Sequence, residues 1–483
     1  MIYRAPLGEM RFCAGLVGQG RLAETARFAE AGAETREAVL REAGRLAEEV
    51  LLPLDRAGDL HPARLENGVV RCPPGFAEGY RQVAEGGWVG LAAEPAHGGQ
   101  GLPRSLSVMV HELLSSGCLA LGIAPLLTEG QIEALEAHAS DELKARFVPP
   151  LVAGRWTGTM NLSEPHAGTD VGAVATRAEP APDGTYRITG QKVWISFGDH
   201  DLAENVLHLV LARLPDAPAG TKGISLFAVP KWLPDADGRP GARNAVRTVR
   251  LEAKTGLHGS PTCELAYEGA TGWLVGGPHG GMAAMFTMMN TARLLVGVQG
   301  LATAERATQA ALAWAHARRQ GRTPDGSGVI AGHADVRRML LTMCARSFAA
   351  RAICYDCALS IDLSGAASDG AERAAHAARA AALTPIAKAY ATETGFAAAD
   401  LAIQVHGGMG YVEETGVAQL WRDIRVSAIY EGTNGIQAMD LVGRKLSMDG
   451  GAAVQGLLGE ARETAEAARA AGEGPLADAL ARA

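Results

Sequence analysis

Between residues 156 and 278 the chain changes texture, and that change limits the folds open to it. Short apolar runs at Tyr186–Ser196, Val206–Leu214, Ile224–Val229, Val246–Leu251 and Cys263–Tyr267 are separated by Gly, Pro and Asp. Pro182-Asp183-Gly184 is a turn signal between two of them. This pattern predicts a small antiparallel sandwich or barrel. On both sides the spacing of apolar residues is helical. Before the block, helix is predicted over about 21–56, with Pro53 as a stop, over 74–85, and over 105–151 after a Gly/Pro-rich loop at 94–103. After it, long helices are predicted over 282–321, 334–363 and 371–401, with a small-residue linker at 364–370. The fold class is therefore α+β. Its parts are an N-terminal helical domain (1–155), a middle antiparallel β domain (156–278), a C-terminal helical domain (279–447) and an Ala- and Glu-rich helical extension (448–483) with no packed partner evident.

A chain of 483 residues suits two to four domains. The net charge of −8 and the absence of any Lys/Arg run disfavour nucleic acid or an anionic membrane as partner. The N-terminal stretch is interrupted by Arg4, Glu9 and Arg11, unlike a signal or transit peptide. No apolar run reads as a membrane span, so the expectation is a soluble, cytoplasmic protein. Seven cysteines, odd in number and scattered, fit a reducing compartment without a disulfide framework. Cys354-Tyr355-Asp356-Cys357 has no second pair and reads as helix packing. No His pair flanks a Glu at i,i+4 spacing, so no metal site is expected. No Gly-x-Gly-x-x-Gly opens a helix after a strand, so a nucleotide cofactor would not sit on a Rossmann turn.

The chemistry is concentrated in Gln404–Gln437, QVHGGMGYVEETGVAQLWRDIRVSAIYEGTNGIQ. Here Glu431 follows an apolar stretch (Val426, Ala428, Ile429) and precedes Gly432. Apolar neighbours desolvate a carboxylate and raise its pKa, and Gly432 allows close approach of a ligand. These are properties of a general base that removes a weakly acidic C–H proton. Taken alone, the turn fits a helix-terminal Glu on a solvated surface better.

The run resembles the C-terminal signature of the acyl-CoA dehydrogenase family in Gln404, Gly407-Gly408, Gly410-Tyr411, Arg422-Asp423 and Tyr430-Glu431-Gly432-Thr433. Four further pieces match in order: Met160–Asp170, Thr189–Ser196, Ala292-Arg293-Leu294 and Arg318-Arg319-Gln320-Gly321. The resemblance covers roughly residues 75–447. It implies a helical domain, a β domain and a C-terminal four-helix bundle. It also implies α,β-dehydrogenation of an acyl-CoA with hydride transfer to FAD. Glu431 is then the base. The alternative base position on an earlier helix is Ala292, which cannot accept a proton.

The same resemblance implies flavin contacts at Leu162, Ser163, Trp194, Ser196 and Thr433. It places Arg318, Gln320, Gln404 and Gly408 at the pyrophosphate and adenosine end of a neighbouring subunit's FAD, hence a homodimer or homotetramer. On residue chemistry alone, Trp194 also suits a sheet core, and Arg318 also suits a helix C-terminus. Thr169, Asn290, Arg293 and Gly432 fall at substrate positions. Asn290 stands where the family often has Asp, and Gly435 stands where it usually has Gln. Met282, Met285, Met288 and Met289 read as core packing in preference to a sulfur-lined pocket.

Phrases at 198–205, 215–223 and 440–445 resemble the subgroup with an additional C-terminal domain, which includes the 3-(methylthio)propanoyl-CoA dehydrogenases. Relative to it the chain reads as short at its C-terminus. A short thioether acyl-CoA is the best single substrate reading, with a short- or medium-chain fatty acyl-CoA as runner-up and an electron-transfer flavoprotein as acceptor. An acyl-CoA oxidase would share the base. A DNA-binding relative is disfavoured by the acidic tail (Glu460, Glu463, Glu466, Glu473, Asp478), and a nitroalkane-oxidising relative would carry Asp at 431.

Overall fold

The computed structural model describes residues 3–482. The N-terminal region contains α1 (Leu7–Leu16), α2 (Ala33–Leu46), α3 (Leu52–Leu60), a hairpin of β1 (Arg64–Glu66) and β2 (Val69–Arg71), α4 (Phe76–Glu85), α5 (Arg104–Gly117), α6 (Leu119–His138) and α7 (Asp141–Val152). Pro53, predicted to stop a helix, lies instead in the first turn of α3. A π-turn over Ala47–Leu51 precedes it. A proline there forfeits no intrahelical donor, so the chain stays helical through it.

The middle region holds β3 (Trp156–Asn161), β4 (Arg177–Pro180), β5 (Tyr186–Ser196), β6 (Asn205–Arg213), β7 (Ile224–Pro230), β8 (Trp232–Pro234), β9 (Pro240–Arg243), β10 (Val246–Leu251) and β11 (Thr262–Val275). The 14-residue β11 pairs with β10 and β5 along its first part and with β7 along its last three residues. Because β7 also pairs with β6, and a single pair joins β4 to β6, the strands β11-β5-β4-β6-β7 close into a ring. The pairing is antiparallel except at β6, where β3 and β4 run parallel to it. The sequence pattern did not mark β3 as a strand.

Strands β6 and β7 are buried on both faces, which explains their nearly continuous apolar composition. Val210, Ala212, Phe227 and Val229 fill the β-domain core. The alternate residues Leu207, Leu209, Leu211, Leu226 and Ala228 join the large helical core. The two-residue period of these strands thus docks the β domain onto the helices.

The C-terminal region contains α8 (Gly281–Ala317), α9 (Ala334–Ala366) and α10 (Gly370–His406), followed by α11 (Val417–Ile424), α12 (Asn434–Asp440), α13 (Ala452–Ala470) and α14 (Gly474–Arg482). Among the described residues α8, α9 and α10 are long, and the shorter α11 and α12 follow, with Glu431 in the break between them. Cys354 and Cys357 are buried and unpaired on α9, with the Cys357 thiol against Ala380 O of α10. The tail does have a partner: Arg379 of α10 bonds Asp356 of α9 at 2.7 Å and Glu460 of α13 at 2.5 Å. Helix α8 is, by length and hydropathy, able to cross a membrane, which corrects the sequence expectation at that point. Here it is mostly buried as the central helix of the bundle.

Helices α8 and α10 run parallel and touch backbone to backbone. A Cβ on Gly300 would lie 2.3 Å from Ala391 O, and one on Gly395 would lie 2.5 Å from Gly300 O. A Cβ on Gly297 would lie 2.9 Å from Ala387 O. Contacts this close leave no room for a methyl group. Gly300→Ala is expected to cost about 1–3 kcal/mol by overpacking. It should lower the thermal unfolding midpoint, which calorimetry measures, whereas Gly456→Ala on exposed α13, where a Cβ meets nothing, should not.

Candidate active site

Glu431 ends the chain path from α11 and sits at φ +53°, in the left-handed region. For a residue with a Cβ this costs about 1–2 kcal/mol, so the surroundings must enforce it. They do so from both sides. The Tyr430 hydroxyl donates to Gln299 Oε1 of α8. Thr433 caps α12 by accepting from Ile436 N at 3.2 Å. The buried Gln437 amide donates to Gly432 O at 3.1 Å and Glu431 O at 3.4 Å. Gly432 sits at φ +81°, a conformation that strains any residue with a Cβ, and a Cβ there would stand 2.8 Å from Gln437 Nε2 and push that amide aside.

The carboxyl of Glu431 keeps some solvent access but is densely surrounded by protein. That desolvation pushes it up to about 7, against the opposing pull of Arg293 and Lys388. Arg293 of α8 is buried and lies over the Phe286 ring at 5.7 Å. Its guanidinium is also close to Gly432, 3.8 Å from where a Cβ would be, and its Nε has no partner. Asn290, one turn earlier and exposed, accepts a long 3.4 Å bond from Arg293. No acceptor within the described residues engages the Glu431 N–H. The site therefore combines a carboxyl poised near neutrality, a free backbone donor and a buried cation.

The Arg422-Asp423 signature positions this turn from below. Asp423 is buried and accepts from Leu257 N at 2.6 Å, which ties the β10–β11 connection to α11. Burial, together with the neighbouring Asp55, raises its carboxyl to about 7. Arg422 pairs with Asp59 of α3 at 2.6 Å. All three domains thus meet one helix before Glu431.

The β-domain residues gather on a second surface. Leu162 and Ser163 leave β3 and are pinned to β5. Lys192 Nζ donates to Leu162 O at 2.9 Å, and Val193 N donates to Ser163 O at 3.0 Å. Lys192 is buried and pairs with Glu164 at 2.8 Å. Burial brings the Lys192 amine down to about 8. Burial also opposes the Glu164 charge, but Lys192 and the Thr176 and Ala175 donors hold its carboxyl below its usual range. Breaking a buried pair of this kind typically costs about 3–5 kcal/mol, so the loop is firmly set. A bulge opposite Glu264 places Trp194 at φ +63° and turns its indole outward, 62 % exposed, beside the half-buried Ser196. Thr169 is exposed on the loop that leaves this surface.

Arg318, Gln320, Gln404 and Gly408 form a third set, and the fold does not bring it to Glu431 within one chain. Arg318 caps the C-terminus of α8. At 1.5 Å per residue it lies about 37 Å along the helix from Arg293. Trp314 stacks on His406 at 4.7 Å, so the ends of α8 and α10 stand together. All four residues are exposed there, and no side chain would be met above Gly408.

Models of the N-terminal, middle and C-terminal domains of acyl-CoA dehydrogenases match residues 26–155, 159–270 and 279–446. The chain belongs to the acyl-CoA dehydrogenase family, a family of FAD-containing oxidoreductases. It is 46 % identical to 3-methylmercaptopropionyl-CoA dehydrogenase of Ruegeria pomeroyi over 93 % of this chain and 77 % of that one. It is 38 % identical to a butyryl-CoA dehydrogenase of Syntrophomonas wolfei over 84 % of this chain and 69 % of the other. The butyryl-CoA dehydrogenase structure from Megasphaera elsdenii superposes with a TM-score of 0.71 at 24 % identity, covering 85 % of this chain and 98 % of that one.

The residues present fit FAD. An exposed indole beside Ser163 and Ser196, whose hydroxyls take no bond within the described residues, suits a flat polar ring. Exposed Arg318 and Gln320 beside glycine backbone suit a diphosphate. The sequence motifs did not mark Lys192–Glu164 as a pair, Gln299, Lys388 or Asn434. Lys388 did leave a signal, since it is a lone charge on the small-residue stripe Ala387-Ala391-Gly395.

Because the folded-state carboxyl of Glu431 is raised above its ordinary value, its protonated form is the one the fold favours. Its contribution is favourable at acid pH and is lost as pH rises through about 7. Glu431→Gln should therefore unfold at a higher temperature than wild type at pH 8, with the gain vanishing near pH 5. Thermal scans at the two pH values measure this.

Proposed function

We propose that this chain dehydrogenates a short acyl-CoA thioester, 3-(methylthio)propanoyl-CoA above all, with Glu431 as the base that removes the α-proton. The observation that carries the reading is the Glu431 turn: a carboxyl at about 7, a free N–H on the same residue and the buried Arg293 alongside. An α-proton of a thioester is too weakly acidic for a carboxylate in water. The Glu431 N–H polarises the thioester carbonyl and so acidifies the α-carbon, while the desolvated Glu431 carboxylate accepts the proton. FAD, when bound, accepts the β-hydride, and the product is the trans-2-enoyl thioester.

Leu162, Ser163, Trp194, Ser196 and Thr433 hold the flavin end and exclude water from it. Thr169, Asn290 and Arg293 orient the CoA arm and the acyl group, and Gly432 lets the thioester approach the turn. Arg318, Gln320, Gln404 and Gly408 hold the diphosphate and adenosine of a second subunit's FAD. Their distance from Arg293 along α8 supports a homodimer or a larger assembly. The electrons pass to an electron-transfer flavoprotein.

The thioether substrate is supported by the 46 % identity to the Ruegeria enzyme. Met285 and Met288 are fully buried core residues, which removes the sulfur-lined pocket as an argument. Butyryl-CoA is the second reading, favoured by the Syntrophomonas relative.

Anaerobic addition of acyl-CoAs to the flavin-loaded protein tests this. The oxidised-flavin band should bleach fastest with 3-(methylthio)propanoyl-CoA, more slowly with butyryl-CoA and least with octanoyl-CoA. Glu431→Gln should slow bleaching by at least ~10²–10⁴-fold. Bleaching fastest with octanoyl-CoA would remove the substrate proposal, and a Glu431→Gln variant as fast as wild type would remove the base. Oxygen uptake without an added acceptor would replace the flavoprotein partner with oxygen.

A further inference from the structure

Lys388 is fully buried in α10, and among the described residues its ammonium bonds the neutral amide of Asn434 and forms no salt bridge. A buried ammonium without a carboxylate in direct contact is costly to the fold. Its position follows from the close contact of α8 and α10: the Lys388 Cα lies 3.4 Å from where a Cβ on Gly297 would be. From there Lys388 Nζ donates to Asn434 Oδ1 at 2.9 Å. Asn434 is the first residue of α12, three residues beyond Glu431. The rest of its amide is also held by α10, through Thr392 at 3.1 Å and Glu393 at 2.8 Å. One stretch of α10 therefore clamps the C-terminal side of the left-handed Glu431 turn.

We propose that Lys388 is a positioning residue for the base: its ammonium anchors Asn434, and with it the Glu431 turn, and its charge favours Glu431 as a carboxylate. This rests on Glu431 being the base.

Several groups set the field at Glu431. α8 supplies Arg293, α10 supplies Lys388 and Glu393, and α12 with the turn after it supplies Asp440 and Arg444, while Tyr430 precedes the base in the chain. Arg444 is already paired with Asp440 at 2.6 Å. Arg293 and Lys388 are thus the cations that act on Glu431. Burial lowers the Lys388 amine to about 8, and Glu431 acts against that lowering, so the two groups stabilise each other's charged forms. Removing the Lys388 charge makes the Glu431 carboxylate less favourable and raises its pKa. Because the reaction needs the carboxylate, the acid limb of the rate profile moves to higher pH.

The test is the pH profile of anaerobic flavin reduction by 3-(methylthio)propanoyl-CoA, or by butyryl-CoA if only that ester bleaches the flavin. Lys388→Met should slow reduction roughly 10–100-fold and move the acid limb up by about one pH unit. Lys388→Arg keeps the charge and should leave the limb near its wild-type position. Asn434→Ala breaks the anchor without changing the charge, and should slow reduction without moving the limb. A readout independent of turnover is thermal unfolding at pH 8, where Lys388→Met should shift the midpoint more favourably in a Glu431→Gln background than in wild type. Equal shifts in the two backgrounds would overturn the electrostatic role. So would an unmoved limb in Lys388→Met, or a limb moved as far in Lys388→Arg. An Asn434→Ala variant as fast as wild type would overturn the anchoring role. Glu431→Gln in the same assay keeps the two ideas separate: if it stays fast, the base assignment fails, and if it is slow while Lys388→Met behaves as wild type, only Lys388 is excluded.

Discussion

Gly297, Gly300 and Gly395 let α8 and α10 touch with no side chain between their backbones. The rest of the site depends on that contact. It brings Arg293 of one helix and Lys388 of the other to the same short turn, each buried and, among the described residues, each bonded to an asparagine with no salt bridge. Both cations oppose the desolvation that raises Glu431, and the balance leaves its carboxyl close to neutrality. Wider helix spacing would admit water and lose the balance, because the field of a charge falls quickly once solvent intervenes.

The Glu431 turn is strained, and the molecule holds the strain with polar contacts from several elements. Gln299 comes from α8, Asn434 and Gln437 from α12, and Lys388, Thr392 and Glu393 from α10. The approach to the turn is fixed in the same way by Asp423, which is bonded to the β10–β11 connection, and by Arg422, which is paired with α3. A base held by three domains keeps its direction without relying on loop stiffness.

The β domain contributes a separate wall. Its two-sided strands β6 and β7 dock it on the helical core, and the Glu164–Lys192 pair sets the loop that carries Leu162 and Ser163. The outward Trp194, 62 % exposed where a core indole would be covered, offers a flat apolar face suited to stacking on a planar ring. Arg318, at the C-terminus of α8, stands a helix length from Arg293, with Gln320, Gln404 and Gly408 exposed beside it, so this surface is separate from the Glu431 turn within the chain.

Much of this was legible in the sequence. The helical and strand periods gave the three-part architecture, because periodicity is a property of adjacent residues, whereas Glu431 stood out only through the resemblance of Gln404–Gln437 and four further motifs to the family, the turn by itself reading better as a solvated helix end. The path around Pro53, the parallel β3 and the partner of the tail were not legible, because each depends on a π-turn or on pairing with distant residues. What the sequence by itself determined is the identity of the candidate groups: a Glu before a glycine, an indole on a strand, an Arg on a helix. Only the tertiary structure decided their chemistry. The pKa of Glu431, the burial of Lys388 and the separation of Arg318 from Arg293 arise from helix contacts and helix lengths in space, and no local motif encodes a distance between residues 43 positions apart, such as Lys388 and Glu431.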